Sequence, residues 1–289
     1  MPLADNLPDS ATRFFALPGP SLVGLRGTDA AAFAQAQFAN DLNGLEVGHW
    51  QWNAWLTPKG RVIALFALIK VATDDLLLWA PDDSAERLAS ELARFVFRRK
   101  LQVAARLDSQ VSGSFSAPIA ATASQVGMAE GVIELDLGAD GGARTVRIDA
   151  TGAQPDDDQR AQWRSFDLRH GLPRLPEAQR AQWTPQQLSL ERLHAFSVKK
   201  GCYPGQEIVA RTHFLGKAKR GLALLQTATP LVGGEAVALD GVAVGEIVST
   251  TSHPSPLALA VLPMERAGGA LSVAGSDAAL SPLLPGLQR

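Results

Sequence analysis

Residues 49–56 alternate strictly between two faces, and this pattern most constrains how the chain can fold. Trp50 and Trp52 share one face with Leu56, whereas Trp55 lies on the other face. A period of two residues is typical of a β-strand. A turn at 58–60 then leads into a long apolar strand over 61–71. The tryptophans either fill a core or form the wall of a site for a flat aromatic ligand.

The elements around this pair of strands follow the order β-α-β-β-β-α-β. We predict strands at 22–25, 76–80 and 101–107, a helix at 29–38 capped by Thr28, and a helix from the cap Ser84 to residue 98. This order indicates an α+β lobe with antiparallel pairing. The run of Arg and Lys at 98–100 is interpreted as a solvated helix end.

The rest of the chain divides into two further regions. Weak strands at 132–137 and 145–148 precede a helix that begins at 155–158 and carries Trp163, and residues 186–195 are predicted to be helical. Beyond residue 220, short strands at 222–225, 237–239, 242–249 and 257–262 are typical of a small β-barrel or sandwich. The predicted domains are therefore 14–107, 108–219 and 220–289.

Composition excludes several classes of protein. A net charge of −2 and 46% hydrophobic residues are ordinary for a globular chain and argue against a general nucleic-acid binder. The single cysteine forbids an intrachain disulfide, and the five histidines are not spaced for a metal site within one chain. We expect no signal peptide, and the sequence contains no phosphate-binding loop and no apolar run that could span a membrane. We expect a cytoplasmic, monomeric protein.

The single cysteine lies in the segment 199–211, which reads Lys-Lys-Gly-Cys-Tyr-Pro-Gly-Gln-Glu-Ile-Val-Ala-Arg. Two glycines and a proline around Cys202 require tight turns, and the residues after Gly205 can start a short helix. Residues 192–220 carry seven Lys or Arg against one acid. Nearby cations and a helix N-terminus both favour a thiolate, so we interpret Cys202 as a reactive or ligand-like thiol rather than a small core residue.

This segment closely resembles the signature of the YgfZ-type folate-binding proteins, which are relatives of the glycine-cleavage aminomethyltransferase. Residues 33–41, 56–61 and 185–191 resemble further parts of the family, so the resemblance covers nearly the whole chain. It implies two α+β (ferredoxin-like) lobes and a C-terminal β-barrel arranged as a three-lobed ring. It also implies a tetrahydrofolate-type ligand near the centre of the ring.

The resemblance implies a role in the assembly or repair of iron–sulfur clusters, including those of tRNA-modifying enzymes. The implied partners are A-type scaffold proteins or client iron–sulfur enzymes, and a cluster would be shared between Cys202 and a partner, because one cysteine supplies one ligand. The residues that match the family motif around Cys202 are Lys199, Lys200, Gly201, Tyr203, Gly205, Gln206, Glu207 and Arg211.

The resemblance also suggests residues for the folate. A tryptophan implicated in folate binding lines up with Trp163, and Asp41, Trp55 and Arg169 are further candidates. Some relatives have Glu at the position of Arg169. An arginine has only donors, so it cannot accept from the pterin's N–H edge, although it can pair with the glutamate carboxylates of folate. Another tryptophan of some relatives aligns near Pro20.

Two alternatives stay open at this point. The first is a folate-dependent one-carbon transferase with Cys202 as nucleophile, although the aspartate that the aminomethyltransferases use after the hairpin glycine is missing between Gly60 and Leu65. The second is a tRNA-binding module that uses the basic segment 192–220. The missing aspartate favours an accessory protein over an enzyme.

Overall fold

The computed structural model describes residues 13–19, 21–216, 218–266 and 268–289. The helices are α1 (Ala30–Gln37), α2 (Ala85–Ala93), α3 (Asp157–Arg169) and α4 (Gln206–Phe214), with 3₁₀ turns at Glu177–Gln179 and Leu190–Leu193. The strands are β1 (Phe15–Ala16), β2 (Leu22–Arg26), β3 (His49–Leu56), β4 (Val62–Ala72), β5 (Asp75–Trp79), β6 (Gln102–Ala105), β7 (Gln110–Ser114), β8 (Gly127–Ala129), β9 (Val132–Asp136), β10 (Thr145–Asp149), β11 (Arg220–Thr227), β12 (Ala236–Leu239), β13 (Val242–Thr251), β14 (Leu257–Pro263), β15 (Leu271–Val273) and β16 (Ser276–Ser281).

The first sheet has the order β3-β4-β5-β2-β6 and pairs only antiparallel neighbours. The predicted order of its strands and helices is confirmed, and so is the alternation in β3. Trp50 and Trp52 enter a large core that also contains Trp163 and Tyr203. Trp55 enters a second core, between the sheet and its two helices.

Three predicted helical segments need correction. Thr28 does not cap α1, because the N-cap residue is Asp29, whose carboxylate accepts from the Lys100 backbone N–H at 2.6 Å. Helix α2 is capped by Ser84 as predicted but ends at Ala93, where the backbone bonds tighten into turns. The segment 186–195 contains only a 3₁₀ turn, flanked by Ser189 and His194 in the left-handed conformation.

The second sheet has the order β1-β7-β10-β9-β8, and α3 packs on it. Strands β9 and β10 and helix α3 match the sequence prediction, whereas β7 was not predicted because its sequence is rich in Ser and Gly. Strand β1, which falls inside the predicted first lobe, pairs with β7. The predicted domain boundaries at 107 and 219 stay a prediction.

The third sheet closes into a barrel with the strand order β11-β14-β13-β12-β15-β16. This confirms the α+β fold class with a C-terminal β-barrel. Strands β15 and β16 were not predicted, since each offers only a short, mixed pattern of apolar and polar residues. Within the described residues, no helix is long and apolar enough to cross a membrane.

A buried ion cluster joins α3 to the rest of the second lobe and to the first. Asp167 accepts from Arg144 Nη1 at 2.7 Å and from Arg174 Nε at 3.1 Å, and all three side chains are buried. Arg174 also reaches Asp82, in the loop between β5 and α2. Burial would raise the pKa of Asp167, but the two guanidinium groups outweigh it and hold that pKa below its ordinary value.

Replacing Asp167 by Asn is expected to destabilise the protein by about 3–5 kcal/mol, because Arg144 would remain buried without a counter-charge and Arg174 would keep only Asp82. Urea unfolding followed by circular dichroism measures the change. The control is Asp277→Asn, at an exposed position of the barrel, which we expect to be near neutral. Equal stability of the two variants would contradict the role assigned to Asp167.

Candidate functional site

The cysteine motif is fastened to the β3–β4 hairpin by a close approach of two glycines. Gly205 has φ +81°, and a Cβ built there would lie 2.6 Å from both Gly60 Cα and the carbonyl oxygen of Thr57. Gly60 has φ +68°, and a Cβ there would lie 2.9 Å from the Ile208 side chain. Only glycine fits both positions, because any larger residue would meet backbone or side-chain atoms and adopt a strained backbone.

The other end of the motif loop is held by Lys200. Its Nζ donates to the backbone carbonyls of Gln35, Phe38 and Asn40 at 2.7, 2.6 and 2.8 Å. These carbonyls lie at and just beyond the C-terminal end of α1, where they have no partner within the helix. Burial lowers the pKa of Lys200 to about 8, against the opposing charge of Asp41. All three N–H groups of the ammonium are thus used to join the loop to α1.

Two further motif side chains fix the loop from within. The Tyr203 hydroxyl donates to the Ser197 carbonyl at 3.0 Å, and burial raises the pKa of Tyr203 to about 12. Gln206 Nε2 donates to the Lys200 carbonyl at 2.9 Å. From outside the motif, Gln186 Nε2 donates to the carbonyl of Val209 in α4 at 2.9 Å. These hydrogen bonds therefore fix the backbone on both sides of Cys202.

Cys202 itself is exposed and lies at a cleft of about 560 Å³. The cleft is lined by Ala31, Ala32, Gln35, Ala36, Leu42, Asn43, Lys70, Gly201 and Cys202. We call it the thiol cleft. Four of these nine residues come from α1, and three of the four are alanines, whose small side chains leave the thiol accessible to another molecule. The predicted short helix after Gly205 is confirmed as α4, and it starts beyond Cys202.

The remaining motif residues do not converge on the thiol. Glu207 and Arg211 are exposed on α4, and Lys199 lines a different cavity together with His194 and His213. Other cations of the basic segment are also used elsewhere: Arg192 donates to the Leu284 carbonyl and Arg220 to the Val244 carbonyl. The positive charge of 192–220 is thus distributed over several contacts.

The four predicted folate residues lie in different places. The Asp41 carboxylate accepts from the Gln35 side chain beyond the end of α1, and Trp55 packs edge-on against Phe95 in the helix-side core. Arg169 is exposed at the end of α3, where its Nε contacts Ser165. Pro20 lies outside the described residues. Trp163 lines a cavity that shares no lining residue with the thiol cleft.

The cavity at Trp163, which we call the arginine cavity, has a volume of about 560 Å³ and is lined by Leu17, Pro18, Pro81, Asp82, Arg160, Ala161, Trp163, Arg164, Arg174, Pro230, Leu231, Thr250, Thr251 and Ser252. The Trp163 ring packs against Gly113 by its Cε3–Cζ3 edge, and its Nε1 is buried without a hydrogen-bond partner. Arg164 Nε donates to the Thr250 carbonyl at 2.6 Å, and burial lowers the pKa of Arg164.

Sequence reasoning missed the arginines of this cavity. Arg160 and Arg164 are four residues apart on α3 and so share one face of the helix with Trp163 nearby, which is a signal that the sequence carries. Arg174 could not have been found in this way, because it reaches the cavity from a loop. Among the described residues, no group of three His, Cys, Asp or Glu side chains is placed to hold a metal ion.

Replacing Gly205 by Ala is expected to cost about 2–4 kcal/mol of stability, because its Cβ would collide with the hairpin backbone and the backbone would be strained. Gly201→Ala is the matched control, since nothing lies within 4 Å of a Cβ there. Thermal unfolding of the two variants measures the difference. Equal midpoints would show that the motif is not seated on the hairpin as described.

The chain resembles known proteins in both sequence and fold. No family model matches the chain. It is 28% identical over 224 residues to a protein named tRNA-modifying protein YgfZ from Colwellia psychrerythraea, covering 71% of this chain and 68% of that one. It is 26% identical over 221 residues to an uncharacterized protein from Haemophilus influenzae, covering 75% of each.

The fold is similar to that of the glycine cleavage system aminomethyltransferase T from Bartonella henselae. The TM-score is 0.71 and the match covers 96% of this chain and 88% of that chain, at 18% sequence identity. At this identity the match shows the fold alone. Together with the sequence matches, it confirms the resemblance to the YgfZ-type, aminomethyltransferase-related proteins that the cysteine motif predicts.

Proposed function

We propose that this chain is a folate-binding accessory protein that supports the assembly or repair of iron–sulfur clusters, including those of tRNA-modifying enzymes, through the thiolate of Cys202. The observation that carries the proposal is an exposed cysteine on a backbone fixed at both ends, beside an open cleft. The similarity to a protein named for tRNA modification supports the choice of client.

The thiol is suited to a shared cargo rather than to a resident metal. A thiolate is a soft ligand of the kind that iron–sulfur clusters prefer, but one cysteine supplies only one ligand. The other ligands of a transferred cluster would come from a partner, in this proposal an A-type scaffold or the client enzyme. The alanine side chains of α1 along the thiol cleft leave room for a partner's loop to approach Cys202.

The arginine cavity is the better fit to a folate. Its volume lies in the range of small-molecule sites, and the guanidinium groups of Arg160 and Arg164 suit the carboxylates of folate's glutamate tail, whereas Arg174 is already paired with Asp167 and Asp82. The orphaned Nε1 of Trp163 is a buried donor that a ligand acceptor would satisfy. Trp163, Arg160 and Arg164 are therefore the residues that we propose to hold tetrahydrofolate or a derivative, in place of Asp41, Trp55 and Arg169.

The proposed protein binds folate without transferring a one-carbon unit from it. Gly60 is followed by Arg61, and strand β4 then begins with a run of buried or half-buried apolar residues through Leu65. No carboxylate in this run can serve as the acid or base that aminomethyl transfer needs. The proposal therefore expects no turnover of methylene-tetrahydrofolate by the purified chain.

Cys202→Ser is expected to abolish function in cells while leaving the fold intact, because the side chain is exposed and only the sulfur ligand is lost. The assay is complementation of a bacterial strain that lacks its own YgfZ protein, read out as the methylthio modification of tRNA. Thr28→Ala, which removes an exposed hydroxyl from the first lobe, is the control and should complement fully. Full complementation by Cys202→Ser would overturn the role of the thiol.

Folate binding is tested by titrating intrinsic tryptophan fluorescence with tetrahydrofolate. Trp163→Phe and Arg164→Met are each expected to weaken binding about tenfold or more, because each removes a donor from the cavity. Arg169→Met removes an exposed arginine from the same helix and should leave the affinity unchanged. If only Arg169→Met lost affinity for tetrahydrofolate, the folate site would have to lie outside the arginine cavity.

A further inference from the structure

The segment that follows α2 presents an aromatic ring and a cation on a protruding turn. The Arg99 N–H donates to the Val96 carbonyl at 2.9 Å, which closes a turn with Phe97 and Arg98 at its centre. The Phe97 side chain is 77% exposed, and the Arg98 guanidinium lies over its ring at 4.9 Å. We call residues 94–100 the α2 tip.

The backbone of the tip is strained at its centre. Arg98 has φ +56°, in the left-handed region that glycine adopts most readily. A non-glycine residue is strained in this region. Cations near the end of a helix do stabilise its dipole, but that effect needs no exposed phenylalanine and no left-handed arginine. The costly conformation instead places the guanidinium on the Phe97 ring.

The tip is anchored from below and left open above. Phe95 packs edge-on against the buried Trp55 with ring centroids 5.9 Å apart, so the turn has a firm base. Phe97 has no such partner among the described residues. Its ring and the guanidinium of Arg98 thus form a flat surface that faces solvent.

The charge of the tip is strongly positive although the chain carries a net charge of −2. The tip contains four cations, Arg94, Arg98, Arg99 and Lys100. Within the residues that the structure describes, none of these four side chains pairs with a carboxylate. Asp29 touches the segment, through the backbone N–H of Lys100. An anionic partner would therefore meet cations that are free to bind.

We propose that the α2 tip binds single-stranded nucleic acid. An unpaired base would stack on the Phe97–Arg98 surface, while Arg94, Arg99 and Lys100 contact neighbouring phosphates, which is the combination that sequence-tolerant single-strand binders use. A membrane surface fits less well, because two aromatic side chains on a turn offer little apolar area to insert. The proposal depends neither on Cys202 nor on folate.

The test measures fluorescence anisotropy of a labelled single-stranded oligoribonucleotide with the full chain at several salt concentrations. Binding is expected to weaken as salt rises. Phe97→Ser should weaken it about tenfold or more, because a stacking surface is lost. Arg98→Gly should weaken it as well while leaving the thermal midpoint unchanged or higher, since glycine suits the left-handed backbone. Loss of binding with intact stability separates a binding role from a structural one.

A second aromatic and basic site serves as the matched control. Phe214 is 67% exposed at the end of α4, and Lys219 lies five residues further along the chain. The double variant Phe214→Ser, Lys219→Gln should bind as the wild type does. The proposal is overturned by absence of binding at low salt, by wild-type affinity of Phe97→Ser, or by equal losses in the control. If the chain does not bind RNA but sediments with phosphatidylserine vesicles, the tip binds a membrane surface instead.

Discussion

The ammonium group of Lys200 is the contact on which the rest of the site depends. Helix α1 ends with carbonyls that have no partner within the helix, and the loop that carries Cys202 has little apolar area of its own to bury. Lys200 resolves both problems, because its three donors reach Gln35, Phe38 and Asn40 at once. The close approach of Gly205 to Gly60 then seats the other side of the loop. Cys202 lies between these two anchors.

In this arrangement, the side chains that hold the loop are different from the side chain that carries the thiol. In the sequence, Lys200 reads as a cation next to Cys202 that would favour a thiolate. In the structure it is directed into the first lobe, and Tyr203 and Gln206 are likewise used for backbone contacts. The motif residues therefore fix the backbone conformation of the loop more than they set the charge around the thiol. Cys202 stands out as the exposed thiol of the motif, free for intermolecular chemistry.

Local patterns explain what could be predicted, and long-range contacts explain what could not. The alternation in β3, the short helix after Gly205 and the barrel strands β11 to β14 follow from periods or turn residues within a few positions. The partners of Lys200 lie some 160 residues away in sequence, and Asp167 meets Arg144 across a sheet. The left-handed conformations of Ser189 and His194 break a segment whose composition favours a helix. Such features depend on tertiary packing that no local pattern encodes.

The positions of the two cavities constrain how folate and thiol can act together. The arginine cavity and the thiol cleft share no lining residue, so a folate held at Trp163 would not react directly with Cys202 in this arrangement. Both sites are nevertheless built on one core, which contains Trp163, Tyr203 and Val209. A close-packed core transmits small displacements because it cannot absorb them in voids. In the proposed function, folate would therefore not be a reactant of Cys202, and any influence on the thiol would pass through the packing behind the motif.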